Sequence, residues 1–351
     1  MNLFTKLIGM RRVNLRDIAK AAEVSLATVS YALRDHEKIP KATRKRIQAL
    51  SLSLGYRPDP SLAVLGARRW GGRTGLNGLM MTVIAPPRQQ WTTYQERCFA
   101  GSQEQADRLG YRLQHFAVED FSSPAEMGAV LERRSCGGVI LRRIQQESQL
   151  HGFPFERFAI VACGHGAVDP RCHIVMPHHH HNFMAVWRRM RRHGVRRIGV
   201  VLLEGDALAE LPRFYTGAML QAQEELPARQ RIPAFVCSAY DRARFSTWLN
   251  RHRPEAIIGC VDRVWTWLSN ARLGRMPLFA SLEKGDPGDG RLAGIDLRPQ
   301  LMGSAAVDQL DRAIKANERG LPEIRQIIQI ESPWCPGESL PEPDKTPAAK
   351  A

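Results

Sequence analysis

Leu26, Ala27, Thr28, Ser30 and Tyr31 stand together in the stretch LATVSYAL as short polar, apolar and aromatic groups with no charge among them. On one outward helix face such side chains suit a surface that enters a major groove and meets base edges and thymine methyls. A second conspicuous set is His178, His179, His180 and His181. Imidazoles ligate metals and titrate near neutrality. Adjacent side chains point to different sides in any regular structure, so four in a row cannot share one ion outside an irregular loop. No metal is therefore expected; the expectation is a solvated loop and helix start, with one histidine reaching a ligand. Arg188, Arg189, Arg191 and Arg192 follow and read as a solvated helix face, or otherwise an anion-binding surface. The chain shows no nucleophile elbow, phosphate-binding loop, dinucleotide fingerprint or metalloprotease helix, so an enzyme is disfavoured, with no catalytic residues and no cofactor expected.

The outward face needs helices to present it. Ile18, Ala19 and Ala22 recur at helical spacing, which predicts a helix over Arg16 to Ala22. Glu23-Val24 breaks it, Ser25 sits where an N-cap hydroxyl is wanted, and a second helix runs from Ala27 to Leu33. Small alanines let the two pack closely. A third helix is expected from Lys41 to Leu54, with Pro40 before it and Gly55 to stop it. Tyr56 to Pro60 cannot be regular helix; Ser61 to Ala67 reads as a helix of about two turns, marginal on its own.

After Gly71-Gly72 the pattern changes. Expected strands are Gly78 to Ala85, Tyr111 to Val118, Gly137 to Leu141, Ala159 to Ala162, Arg197 to Leu203, Ala234 to Cys237, Ala256 to Cys260 and Leu278 to Ser281. Expected helices are Tyr94 to Leu109, Pro124 to Arg133, Phe183 to His193, Phe214 to Glu225, Arg244 to Asn250, Val264 to Ala271 and a long one near Pro299 to Arg319. Repeated β-α-β means a parallel doubly wound sheet.

With 351 residues the chain has room for two or three domains. The formal charge of +15 favours a polyanionic partner. Between Arg11 and Arg73 stand 14 basic and 5 acidic residues, so a net +9 lies on the helical segment and its exit. The seven cysteines form no C-x-x-C pair and read as free thiols in a reducing compartment; the expected location is cytoplasmic. No run approaches the roughly 18 apolar residues of a membrane helix, so no membrane partner is expected.

VNLRDIAKAAEVSLATVSYAL (13–33) resembles the helix-turn-helix of the lactose-repressor (LacI/GalR) family of bacterial transcription regulators. RDHEKIPKATRKRIQALSLSLGYRPDP (34–60) is similar to the family's loop, third helix and G-Y-x-P-N-P-type exit. GVRRIGVV (194–201) and AGIDLRPQLMGSAAVDQLDRAI (293–314) resemble, more loosely, segments of its two-lobed effector domain. The implied fold class is α/β: an N-terminal all-α helix-turn-helix domain plus a two-lobed, doubly wound, periplasmic-binding-protein-like body. The resemblance implies base readout by Leu26, Ala27 and Tyr31, and phosphate contacts by Ser25, Thr28, Ser30, Lys38 and Thr43. It implies a hinge helix whose Leu65 wedges into the minor groove and bends the duplex. Asp59 stands where the family usually has Asn, and Leu62-Ala63-Val64 departs from its Ala-Arg pattern.

The family's effector sites lie between the lobes, at the carboxyl ends of the strands. By alignment this chain offers Arg213, Asp262 and Glu283 there; Arg213 is one position off a common spacing, Val261 replaces an Asn and Glu283 an Asp. Arginine and carboxylates suit polyhydroxylated or charged ligands; surface or interface roles would explain the three residues equally well. Trp91 and Tyr94 open the first lobe's helix, where an aromatic often meets the ligand, and core packing accounts for them equally well. Trp265 and Trp267 would line the cleft or the interlobe wall. These departures leave open a ligand that is no ordinary sugar, or no ligand.

The expected organisation is a leader over 1–10, with Met10 a candidate start, a helix-turn-helix domain over 11–57 and a hinge and linker over 58–74. A two-lobed effector-binding and dimerisation body follows over 75–331, then a disordered tail over 332–351. The implied function is a homodimeric transcription regulator, a repressor, on a near-palindromic double-stranded operator and modulated by a small effector. The alternative is a ligand-binding α/β protein or enzyme whose helix-turn-helix is an accessory interaction module.

Overall fold

Asn14 begins the first helix, α1 (Leu15–Ala22): its Oδ1 accepts from the backbone N–H of Arg16 and Asp17, and the Asp17 carboxylate accepts from the Asn14 N–H at 2.8 Å. This reciprocal cap satisfies N–H groups that a helix start leaves orphaned. Glu23 takes a left-handed conformation (φ 54°) and turns the chain. Ser25 then caps α2 (Leu26–Leu33) through a 3.1 Å bond from Thr28 N–H. Helix α3 (Lys41–Ser53) lies against both: Arg46 donates to the carbonyl of Ala22 at 3.2 Å, and Gln48 to that of Ala32 at 3.0 Å. Ile18, Ala22, Val29, Ala32 and Ile47 are buried between the three.

The computed structural model describes residues 13–33, 39–54, 79–144, 147–164, 170–203, 211–237, 241–271 and 274–342. The chain divides into units 1–72 and 73–351. Leu65, Lys38 and the whole expected hinge, 58–74, lie outside the described residues, as does the expected leader at 1–10.

The second unit holds two six-stranded sheets. Its strands are β1 (Met80–Ile84), β2 (Arg112–Phe116), β3 (Cys136–Leu141), β4 (Ala159–Cys163), β5 (His173–Pro177), β6 (Ile198–Leu203), β7 (Phe235–Cys237), β8 (Ala256–Gly259), β9 (Leu278–Ser281), β10 (Gly294–Ile295), β11 (Ile327–Ile330) and β12 (Trp334–Cys335). The first sheet runs β11-β5-β4-β3-β1-β2 and the second β12-β10-β9-β8-β6-β7. All pairs are parallel except β10 with β12. Between them run α4 (Thr93–Leu109), α5 (Pro124–Arg133), α6 (His179–Arg192), α7 (Leu211–Glu224), α8 (Arg242–His252), α9 (Arg263–Ser269) and α10 (Pro299–Ala316). Strands such as MMTVI and IGVVLL are buried throughout, as parallel sheets covered on both faces require.

The chain passes between the lobes three times: from β5 into α6, from β10 into α10, and from β11 into β12. Helix α10 returns to the first lobe and crosses α4 at backbone contact. A Cβ on Gly303 would stand 1.9 Å from the Cys98 carbonyl oxygen, and one on Gly101 2.1 Å from that of Gln300.

Two expectations are corrected. Residues 332–342, assigned by composition to a disordered tail, are ordered. Trp334 and Cys335 pair with Ile295 and Gly294, Leu340 is buried, and Ser339 Oγ donates to the Phe279 carbonyl at 2.9 Å. The strand edge at β10 supplies partners that composition does not register. Of the solvated loop and helix start expected at the histidines, the helix start is present but comes at His179, four residues earlier than the expected Phe183, so three of the four lie in α6 and not in a loop.

Candidate functional site

In the N-terminal unit, α2 buries Val29 and Ala32 and turns Leu26 and Ala27 outward, with Thr28, Ser30 and Tyr31 half-buried beside them. Leu26 is 44 % exposed. The face expected from spacing is thus the face the packing leaves open. Ser25 is exposed, and its hydroxyl also lies 2.8 Å from Thr28 Oγ1, so both hydroxyls serve the helix start. Thr43 is half-buried in the first turn of α3.

In the second unit the strand ends of both sheets carry the other candidates. Trp91 sits before α4 and is held in the first lobe: its indole N–H donates to the Pro86 carbonyl at 2.7 Å, and its ring packs on Phe99 and, edge-on, on His115. Tyr94, in the first turn of α4, packs instead against the core of the second lobe. Burial, then Cys98, Cys163 and Glu283, raise its phenol well above the usual value, opposed by Arg142. Tyr94 therefore bridges the two strand-end edges, one with Arg142, the other with Glu283.

Asp262 and Glu283 follow β8 and β9 and come together. Asp262 Oδ2 accepts from Gly285 N–H at 2.8 Å, while its Oδ1 is buried with no partner. Burial and then the Asp262 charge push Glu283 up to about 7. Such a carboxyl can donate or accept a hydrogen bond near neutrality. Arg213 lies in the first turn of α7, a helix of this same lobe. Trp267 is buried in the second lobe's core beside Phe245, and Trp265 packs on Phe279, so neither expectation of a cleft-lining tryptophan holds for Trp267.

The histidines go to four places. His178 caps α6, its Nδ1 accepting from His181 N–H at 3.3 Å. His179 is buried, with Nδ1 3.1 Å from Tyr215 Oη and its ring stacked on Phe214. His180 meets Gln221 at 2.6 Å, and His181 faces Glu331 at 3.7 Å. Among the described residues no three His, Cys, Asp or Glu side chains gather as a metal site.

Spacing did not single out Arg142 or Tyr215. The one sequence signal for Arg142 is a charged pair, Arg142-Arg143, placed directly after the apolar run GGVIL.

Residues 14–59 match the family described as bacterial regulatory proteins, lacI family. The chain is 40 % identical over 77 residues to the HTH-type transcriptional regulator PtxS of Pseudomonas plecoglossicida, covering 22 % of each chain. It is 44 % identical over 46 residues to the HTH-type transcriptional repressor CytR of Escherichia coli K12, 13 % of this chain and 14 % of that one. The matched stretches thus span a small part of these relatives' length. The fold is similar along nearly the whole chain to the lac repressor dimer bound to operator: TM-score 0.56, 16 % identity, 94 % of this chain and 100 % of that one. It is similar also to the transcriptional regulator CelR in complex with cellobiose: TM-score 0.54, 18 % identity, 92 % and 98 % coverage. Residues 14–59 thus match the lacI family of bacterial regulatory proteins, and the two-lobed unit that follows shares its fold with the lac repressor and CelR.

Proposed function

We propose that this protein is a sequence-specific DNA-binding transcription regulator, a repressor, that acts as a homodimer and responds to a small ligand held between its lobes. The observation that carries this is the open, uncharged face of α2, set on a three-helix unit that matches the lacI family. Leu26, Ala27 and Tyr31 read base edges. Ser25, Thr28, Ser30, Lys38 and Thr43 position phosphates, with the net positive charge of this segment supplying sequence-blind attraction. Leu65 acts as the minor-groove wedge. In the body, Tyr94, Arg213, Asp262 and Glu283 face the ligand and Trp91 braces the wall behind them. A ligand that favours one lobe arrangement shifts the population competent for DNA. The reading makes the protein a regulator and no enzyme, located in the cytoplasm.

Selection of bound duplexes from a random pool at about 150 mM salt tests it, because non-specific binding fades steeply with salt. Recovery of one near-palindrome, with binding lost in Tyr31→Ala or Leu65→Ala, supports the proposal. Sequence-blind binding throughout, with and without cell metabolites, overturns it and favours an accessory interaction module.

A further inference from the structure

Arg142 is a buried cation with no counter-charge among the described residues. It stands directly after β3, at the carboxyl edge of the first sheet, and is 4 % exposed. Among the described residues its Nη1 donates to the Gln95 carbonyl in the first turn of α4 at 3.1 Å, and its guanidinium lies 5.6 Å from the centroid of the Trp91 ring. No carboxylate among the described residues lies within ion-pair distance of it. Arginine does not escape burial by losing its proton. A buried unpaired charge costs several kcal/mol, so native structures provide it a partner. The neighbour on the chain makes matters worse: Arg143, held at a positive φ of 54°, adds a second cation. The amino end of α4, the positive end of its dipole, faces the same edge.

The opposite lobe has the opposite shortage. Asp262 is near enough to Glu283 for its charge to raise that carboxyl, and Asp262 Oδ1 is buried and unpartnered among the described residues. Lys284, next to Glu283 in the chain, is spent on the carbonyls of Pro287 and Asp289, and Arg263, next to Asp262, is exposed. Arg142 does not relieve the acids, because no ion pair joins them and Tyr94 stands in the field of both. Among the described residues, then, the first lobe's strand-end edge lacks an acceptor and the second lobe's lacks a donor.

We propose that the cleft takes a small ligand that is an anion, carrying a carboxylate or phosphate that Arg142 anchors, and bearing hydroxyl or amine donors that Asp262 and Glu283 receive. This rests on the ligand-modulated regulator reading and narrows its ligand class. Arg142 is then the residue that separates an acid from a neutral sugar. A planar guanidinium engages carboxylate or phosphate through two parallel bonds, and a neutral hydroxyl would leave the charge uncompensated.

Thermal unfolding of the full chain with four probes, gluconate, glucose 6-phosphate, glucose and inorganic phosphate, tests this. The expected result is that at least one of the two hydroxylated anions raises Tm and glucose does not; gluconate against glucose 6-phosphate distinguishes carboxylate from phosphate. R142Q is expected to raise the apparent Kd about 10- to 100-fold, as loss of a charge-assisted pair implies, while R142K, which keeps the charge, retains part of the response. E283Q weakens the hydroxylated anions and leaves inorganic phosphate unchanged. No shift with any anionic probe, an equal shift with glucose, or a response unaltered in R142Q overturns the proposal. A near-palindrome recovered without any anion response would leave the regulator reading standing and remove this one; an anion response without selective DNA binding would do the reverse.

Discussion

Glu283 carries a pH dependence whose sign follows from its surroundings. Burial first and the Asp262 charge second lift its carboxyl from the ordinary 4.5 to about 7. Between those values the folded chain holds a proton that the unfolded chain has released, so this group's contribution to stability falls as pH rises from about 4.5 to about 7 and is level above. E283Q has nothing to titrate. Urea midpoints at pH 5 and pH 8 should therefore show wild type losing stability relative to E283Q by about 2 kcal/mol across the interval. On the face proposed to read bases, Leu26 contributes less to folding, since it is 44 % exposed and the core beneath is made by Val29 and Ala32. Leu26→Ala should leave Tm within about 1 °C while weakening selective binding about tenfold or more in a duplex titration, a combination expected of readout rather than packing.

At the scale of elements, caps and crossings decide what spacing leaves open. The periodic apolar residues announce α1, yet Asn14 and Asp17 fix where it begins. Asn14→Ala should cost about 1 kcal/mol, read as a lower denaturant midpoint for the N-terminal unit. The crossing of α4 and α10 rests on two glycines whose missing Cβ atoms let backbones touch. Gly303→Ala places a methyl where the Cys98 carbonyl stands and should cost about 3 kcal/mol, measured as a fall in Tm. The long strands and helices of both lobes are legible in the sequence because an all-buried parallel strand is an unbroken apolar run. The short ones, β10 and β12, are two residues each and carry no such signal. Their pairing is made by distant partners.

At the scale of the molecule, two lobes are tied by three passages of the chain, and the last of them delivers residues 333–342 to the second sheet. Ending the chain at Ser332 removes β12 and the Ser339 and Leu340 contacts. It exposes the β10 edge, and should lower Tm and raise amide exchange across β9 and β10. The candidate site is distributed over this architecture: Arg142 and Tyr94 come from one lobe, Asp262 and Glu283 from the other, with more than a hundred residues of chain between the pairs.

By itself the sequence determined the local chemistry: which helix of the N-terminal unit faces outward and the β-α alternation that requires parallel sheets. These follow from periodicity and from short motifs, which depend on neighbours along the chain. The tertiary structure alone decided which residues meet. The four histidines disperse because helix α6 begins among them and turns successive side chains to different sides. Trp267 goes to the core, and Arg142, unremarked as one of fifty basic residues, is buried with no counter-charge among the described residues. Burial and charge pairing are sums over neighbours distant in sequence, and only the folded chain brings those neighbours together.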